Sequence, residues 1–463
     1  MRGFGQCRCK NGFEKNEARD ACVPICPNYE CPLYSKPIDG RTCIESFDDC
    51  QCDNGFIKDP YLPACTVAVA SPRARPTPAP IPIASGQIVP TKCEVEQLVE
   101  LMEQAVRTNK ALAPQWLRLS FHDAGTFDQR RQVGGANGCL LTDERMRLEK
   151  ENDSLDLALE PLKIIQETWK GRASSADLIQ FAGFFAVIRQ RGKPGLTASK
   201  RMELEEIFEW GRADELNCET SWTLNLPGFQ LDVDDPTDIP LRCRMAGSEI
   251  KNKMMDRNGF TAFEATALIG AHTIGLTRHV FTDQLAGPWA ENGHDEATNE
   301  GPVFDNGFHS FLIHDVAAKS AEEFADQRDP FTTDFPTWFR FDEGDINHLD
   351  TDIVLAFPAQ DTSIHPDYHA FTTRFANDGP FFIESFMKAF QKMSRLGVRQ
   401  RLVPSIPCVE KTVAAFTSSD RTSAVPYQLE LQSAMAQANV RLQNTAIANQ
   451  AEIEYLTTPL VYD

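Results

Sequence analysis

From Lys92 onward, apolar residues recur three and four positions apart. The segments EVEQLVELMEQAV, LDLALEPLKIIQETW, SADLIQFAGFFAVI, FTAFEATALIGAH and FFIESFMKAFQKM each carry an apolar stripe at helical spacing. No strand-rich stretch of comparable length competes, so this pattern predicts a mainly α-helical body. The pattern fails on both sides. Within residues 66–91, prolines at 72, 76, 78, 80 and 82 deny helix and sheet and predict a semi-rigid linker. From Val409 to the end the chain is weakly apolar, apart from one helical pattern in YQLELQSAMAQANVRLQNTA, whose role the sequence does not define.

Cysteine changes the picture before residue 66. Nine of the 14 cysteines fall between Cys7 and Cys65, and CRCKNGFEKNEARDAC is echoed by CQCDNGFIKDPYLPAC. So small and polar a unit cannot support a core by itself, so disulfides are expected to staple it. A zinc module is the alternative, but no histidine precedes His122, and the Gly-Phe turn between cysteines suits an EGF-like disulfide repeat. That implies an oxidising compartment, hence secretion. Nine is odd and Cys7 opens in mid-pattern, so the sequence is expected to start inside a repeat array, with its N-terminus and any signal peptide upstream. The expected organisation is a cysteine-rich module at 1–65, a linker at 66–91, a helical domain at 92–408 and a tail at 409–463. A length of 463 residues agrees with two or three units. The 46 Lys and Arg against 66 Asp and Glu give a net charge of -20, which repels phosphate backbones and argues against nucleic acid as partner. No run of 18 apolar residues occurs, which argues against a membrane span.

Two histidine sites carry the candidate chemistry. In WLRLSFHDAG, residues 116–125, Arg118 and His122 are four apart and share one helical face beside Phe121. A guanidinium and an imidazole among Trp116, Leu117, Leu119 and Phe121 are costly to bury without a polar task, although a lone core histidine is commonly satisfied by a backbone carbonyl. Thr261 and Glu264 have capping-box spacing and open an apolar helix that delivers His272 near its end, with Gly275 placed to terminate it. His272 has two readings: packing, or an imidazole whose Nε2 binds a metal while Nδ1 needs an acceptor.

RLSFHD and GAHTIG, about 150 residues apart, together resemble the plant, fungal and bacterial haem peroxidase superfamily. SSADLIQFAGFFAV, EWGRADE, GPVFDNGFHSFL, LDTDIVLAF and FFIESFMKAFQKMSRLG follow in that family's order, so the resemblance runs from about Cys93 to Cys408. AGTFD and GGANG are similar to the ascorbate peroxidase branch, whereas Phe121, Asp123 and the extra cysteines are similar to the secreted branches. The resemblance implies two helical lobes around haem b. His272 would be the proximal iron ligand, with Asp352 accepting its Nδ1 proton. On the other side His122 would act as general base and then general acid on hydrogen peroxide, beside Phe121. Arg118 would stabilise charge on the departing oxygen, and Asn152 would hold the His122 tautomer. Asn152-Asp153-Ser154 also fits a glycosylation sequon, which a pocket position would mask.

Further features follow from the same resemblance. Thr273, Thr298, Glu300, the Val303 carbonyl and Asp305 reproduce a proximal cation spacing whose oxygen ligands suit calcium or potassium. On the distal side Asp123 and Gly135 fit, but Asn137 replaces an aspartate and Cys139 a serine, which argues against calcium there. Ala267 stands at the electron-relay tryptophan of lignin-oxidising members, and Ala111, Gln115 and Arg278 at the acidic trio of manganese oxidisers. Ala297 and Phe281 occupy the positions tied to cytochrome c and ascorbate oxidation. Small phenolic or aromatic compounds remain as one-electron donors. Cys93 and Cys408 match a bonded pair of secreted fungal relatives. Cys218 and Cys243 bracket a Pro-containing loop and form a second candidate pair, leaving Cys139 over. The rival expectation is a non-catalytic protein that binds a cell-wall or matrix ligand, carbohydrate or protein, through the cysteine repeats. A degenerate scaffold would be expected to lose Arg118, His122, His272 or Asp352, and all four are present.

Overall fold

The computed structural model describes strands at 13–15, 22–24, 35–37, 50–52, 56–58 and 65–67, and residues 87–408 except 170–171, 229–238, 279–284, 289–300, 318–337, 342–345 and 360. The expected cysteine pairing before residue 66, most of the linker, the tail from 409, Thr298, Glu300, Ala297 and Phe281 lie outside the described residues. The chain divides into two units, residues 1–82 and 83–463.

In the first unit the sequence repeat is also a strand repeat. Phe13–Lys15 pairs antiparallel with Cys22–Pro24, and Phe56–Lys58 with Cys65–Val67, so in each repeat the FxK segment is a strand whose lysine faces the next cysteine in register. Ser35–Pro37 pairs with Cys50–Cys52.

The second unit is mainly helical. Its first helix, Lys92–Thr108, starts at a capping box in which Thr91 and Glu94 satisfy each other's backbone N–H groups. Backbone bonds from Lys92 to Ile406 and from Ile406 to Pro90, with the Cys93–Cys408 disulfide, tie this start to the end of the domain. The helix Ser175–Gln190 is mostly apolar and is buried along its whole length, its few charged and polar residues included. It packs along Leu112–Ala124, the helix of Arg118 and His122, and the approach is close because residue 183 is glycine. A Cβ there would stand 2.3 Å from Ser120 Oγ. Charges within the buried helix are paired: Asp177 with Arg212, and Arg189 with Glu103 through two bonds of 2.8 and 3.1 Å. Its Phe181 packs against Phe208 and Trp210, and its Phe184 against Phe208 and Phe390. The helix Gly379–Met393, capped by Asp378, packs Phe382, Phe386 and Phe390 inward and lies against Ala262–Ile269.

One expectation fails here. Cys218 bonds Cys139, with Cα atoms 5.9 Å apart, and Cys243 is a free, half-buried thiol. The turn before Cys139 explains the exchange: Gly134, Gly135 and Gly138 all adopt positive φ, folding 134–139 back so that Cys139 begins a short helix within reach of Cys218. Cys243 instead sits on the helix Ile239–Ile250 beside the buried Arg242–Asp350 pair. Among the described residues no helix is long and apolar enough to cross a membrane.

Candidate active site

The first half of the site is built on Leu112–Ala124, which places Arg118 and His122 one turn apart. His122 Nδ1 lies 2.9 Å from Asn152 Oδ1, and Asn152 Nδ2 donates to the Met146 carbonyl at 2.7 Å. The amide orientation follows, since only its NH2 end can serve a carbonyl. Its oxygen therefore accepts from Nδ1–H, and the imidazole lone pair is left on Nε2. Asn152 is 2% exposed and both ends of its amide are engaged. Burial, and then the neighbouring Arg118 charge, push the His122 pKa down to about 3, against a smaller upward pull from Asn152. His122 is thus a neutral imidazole at ordinary pH. Phe121 packs edge-on to it at 6.0 Å. Arg118 reaches the turn that carries Asn152: its Nη1 donates to the Asp153 carbonyl at 3.0 Å and to Ser154 Oγ at 2.9 Å.

The second half is built on Ala262–Ile269. Thr261 and Glu264 form the capping box, and a 3-10 turn over Gly270–Thr273 then carries His272 past the end of the helix. Gly275 follows in the left-handed region, φ 116°, where the chain turns away. His272 Nδ1 lies 2.9 Å from Asp352 Oδ1, and Asp352 Oδ2 accepts the Leu349 N–H at 2.9 Å. Asp352 is fully buried, which alone would raise its pKa, but His272, His348 and the Leu349 N–H together hold it below the usual carboxylate range. The short helix Asp350–Ile353 that positions it is fixed by Asp350, which takes two 2.8 Å bonds from Arg242.

This arrangement suits a haem iron. With Nδ1 held against a carboxylate, Nε2 is the nitrogen through which His272 would bind a metal. Its side chain is 30% exposed, just beyond a helix that buries Ala265, Thr266, Ala267 and Leu268, whereas Asp352 behind it has no exposure. The two histidine segments are tied together by Asn258, whose Nδ2 donates to the carbonyls of Gly125 and Phe127 just beyond His122.

The expected cation ligands divide. Thr273 Oγ1 donates to Asp305 Oδ1 at 3.0 Å, and Gly307 N–H reaches the same oxygen at 2.8 Å, while Val303 lies two residues before Asp305. On the distal side the groups serve the protein itself. Asp123 accepts from Gly138 N–H and Gln180 Nε2, Gly135 N–H donates to Thr126 Oγ1, and Asn137 Oδ1 accepts from Cys139 N–H. Burial raises the Asp123 pKa to about 7, against those donors. Among the described residues no group of three or more His, Cys, Asp or Glu side chains could hold a metal ion by itself.

The family model for peroxidases matches residues 98–373. The chain belongs to the peroxidase family. The match spans Arg118, His122, Asn152, His272 and Asp352, and begins well after the paired strands of the first unit. This peroxidase is 27% identical over 298 residues to a protein of Aspergillus fumigatus named "Putative heme-binding peroxidase", covering 62% of the chain and 75% of the relative. It is 25% identical to "L-ascorbate peroxidase 5, peroxisomal" of Arabidopsis thaliana, covering 65% and 82%. Against "Putative cytochrome c peroxidase, mitochondrial" of Yarrowia lipolytica the figures are 26%, 66% and 89%.

Sequence reasoning missed two more buried histidines close to Asp352. His348 Nδ1 lies 3.9 Å from Asp352 Oδ2, beyond hydrogen-bond reach, and His309 is packed among Phe308, Phe375 and Phe382 against Gly270. Burial pushes their pKa values down to about 4 and about 3. The available signal was the density of Phe and His in GFHSFLIH, which contains His309.

Proposed function

We propose that this chain is a haem peroxidase that reduces hydrogen peroxide and oxidises small phenolic or aromatic compounds by single electrons. What carries the proposal is the pair of histidines, each anchored at Nδ1 and each presenting Nε2. The haem would be held through His272, with Asp352 supplying the negative charge behind it and Phe121 lying beside His122. Haem contributes, when bound, an iron centre able to accept two oxidising equivalents from peroxide.

The protein's own groups would move the proton. His122, neutral because of its burial, takes a proton from peroxide at Nε2 and returns it to the departing oxygen. Asn152 keeps Nδ1 protonated throughout, so the exchange is confined to one nitrogen. Arg118 carries the positive charge that stabilises the oxygen as it leaves. Support for small aromatic donors comes from Ala267, fully buried where an electron-relay tryptophan would stand, and from Ala297 and Phe281 at the cytochrome c and ascorbate positions. The same proposal includes a calcium or potassium ion on Thr273, Thr298, Glu300, the Val303 carbonyl and Asp305. The disulfides Cys93–Cys408 and Cys139–Cys218 favour an oxidising compartment and hence secretion, with the cysteine repeats as a wall or matrix tether.

The test is reconstitution with haem. A Soret band that His272→Ala abolishes, together with peroxide turnover that His122→Leu slows by roughly 10²-fold or more while haem stays bound, is the expected result. A colourless wild type, or unchanged turnover in His122→Leu, overturns it. Phenols, ascorbate, Mn(II) and cytochrome c compared side by side identify the donor, and the proposal requires the phenols to lead.

A further inference from the structure

Among the described residues only two that are not glycine have positive φ, Gln132 and Ser154, and Ser154 lies in the active-site turn at φ 67°. A serine there costs backbone energy that glycine would not, so the residue is held by something other than local preference. What it gains is its hydroxyl. Ser154 Oγ accepts a 2.9 Å bond from Arg118 Nη1, and the Asp153 carbonyl takes a second at 3.0 Å from the same nitrogen. Two residues earlier, Asn152 holds His122. One turn therefore anchors both the imidazole and the guanidinium.

We propose that Ser154 is a positioning residue for peroxide activation, its left-handed backbone aiming the hydroxyl that fixes the Arg118 guanidinium. The proposal rests on the haem peroxidase reading above. It makes Ser154, with the Asp153 carbonyl, an anchor that holds the guanidinium where it meets charge on a small ligand, so that loss of the hydroxyl lets the charge drift from that place. The bond joins a charged donor to a neutral acceptor, a class stronger than neutral pairs, so its loss changes the position of a full charge.

Two variants separate this role from a structural one. Ser154→Gly removes both the hydroxyl and the backbone strain, whereas Ser154→Ala removes the hydroxyl and keeps the strain. In haem-loaded protein we expect both to weaken binding of fluoride, a small anion that can stand in for peroxide, and to slow the reaction with peroxide, each by about tenfold. Thermal stability should instead diverge, with the glycine variant at least as stable as wild type and the alanine variant less stable. If both variants bind fluoride and react as wild type does, or if only the alanine variant is impaired so that function tracks stability, the proposal is overturned. Failure of the wild type to take up haem would refute the haem reading, and is a separate outcome seen in its spectrum before any variant is compared.

Discussion

Replacing Asn152 by aspartate exchanges one NH2 group for an oxygen and should convert a pH-independent enzyme into a pH-dependent one. In the wild type a neutral oxygen lies 2.9 Å from His122 Nδ1, and the imidazole pKa is pushed down to about 3. The peroxide reaction should therefore be flat from about pH 8 to about pH 5, because the base is already deprotonated throughout. Aspartate puts a full negative charge at the same place. Opposite unit charges about 4 Å apart at an effective dielectric near 20 attract by about 4 kcal/mol, roughly a thousandfold in the proton affinity of His122. Protonation then moves up into the assayed range, and the protonated ring cannot accept a proton from peroxide. The second-order rate constant for peroxide, followed by stopped flow at the Soret band, should fall about tenfold between pH 7 and pH 5 in the variant alone. The variant also leaves the Met146 carbonyl without the Asn152 donor, at a cost of about 1–3 kcal/mol in stability. A flat variant profile would refute the assignment, as would a wild-type rate that declines through the ordinary histidine range near pH 6.5.

Three further outcomes test other parts of the structure. Arg242→Ala strands the Asp350 carboxylate in a buried position, so thermal or urea unfolding should show a loss of about 3–5 kcal/mol. Gly183→Ala drives a methyl group against Ser120 and should cost about 1–3 kcal/mol in urea unfolding, with no effect if the two helices can part. His309 and His348 are neutral and buried in the fold, so below their unfolded pKa the unfolded chain binds protons that the fold refuses. Stability should fall by about 1.4 kcal/mol per histidine as pH drops one unit below about 6.5. The urea midpoint at pH 7.5 and 5.5 measures the loss, and His309→Phe should remove its share while raising stability at pH 7.5. An unchanged acid loss in that variant counts against the account, because neither ring nitrogen of His309 has a hydrogen-bond partner in the fold.

How far the site could be seen in the sequence depends on what kind of element carries each residue. Arg118 and His122 sit one helical turn apart, so their shared face follows from number alone, and the capping box at Thr261 and Glu264 fixes where the helix before His272 begins. The strand pairs of the first unit likewise repeat because the sequence repeats. What stayed hidden depends on turns and on distant partners. The Cys139–Cys218 bond needs three left-handed glycines whose combined direction no spacing rule predicts, which is why Cys243 looked the better partner for Cys218. Asp177 and Arg189 were visible as charges within an apolar run. Their partners, Arg212 and Glu103, stand 35 and 86 residues away, a distance that only packing can close. Ser154 was visible only as part of a glycosylation sequon, because its significance lies in a backbone angle.

On the proposed reading, the two histidines would be set to opposite tasks by a single neighbouring group. Both imidazoles hold Nδ1 at 2.9 Å from an oxygen, and in both the proposed chemistry falls to Nε2. Asn152 offers His122 a neutral amide, which orients the ring and favours a positive charge upon it only weakly, and burial with Arg118 outweighs that pull and keeps the ring a base. Asp352 offers His272 a buried carboxylate held in its charged form, which pushes electron density through the ring toward whatever Nε2 binds. Exchanging the two acceptors would exchange the tasks: a carboxylate at 152 favours an imidazolium that cannot accept a proton, and an amide at 352 leaves a weaker donor. Position along the helices decides where the rings stand, but the charge on the second residue decides what each ring can do.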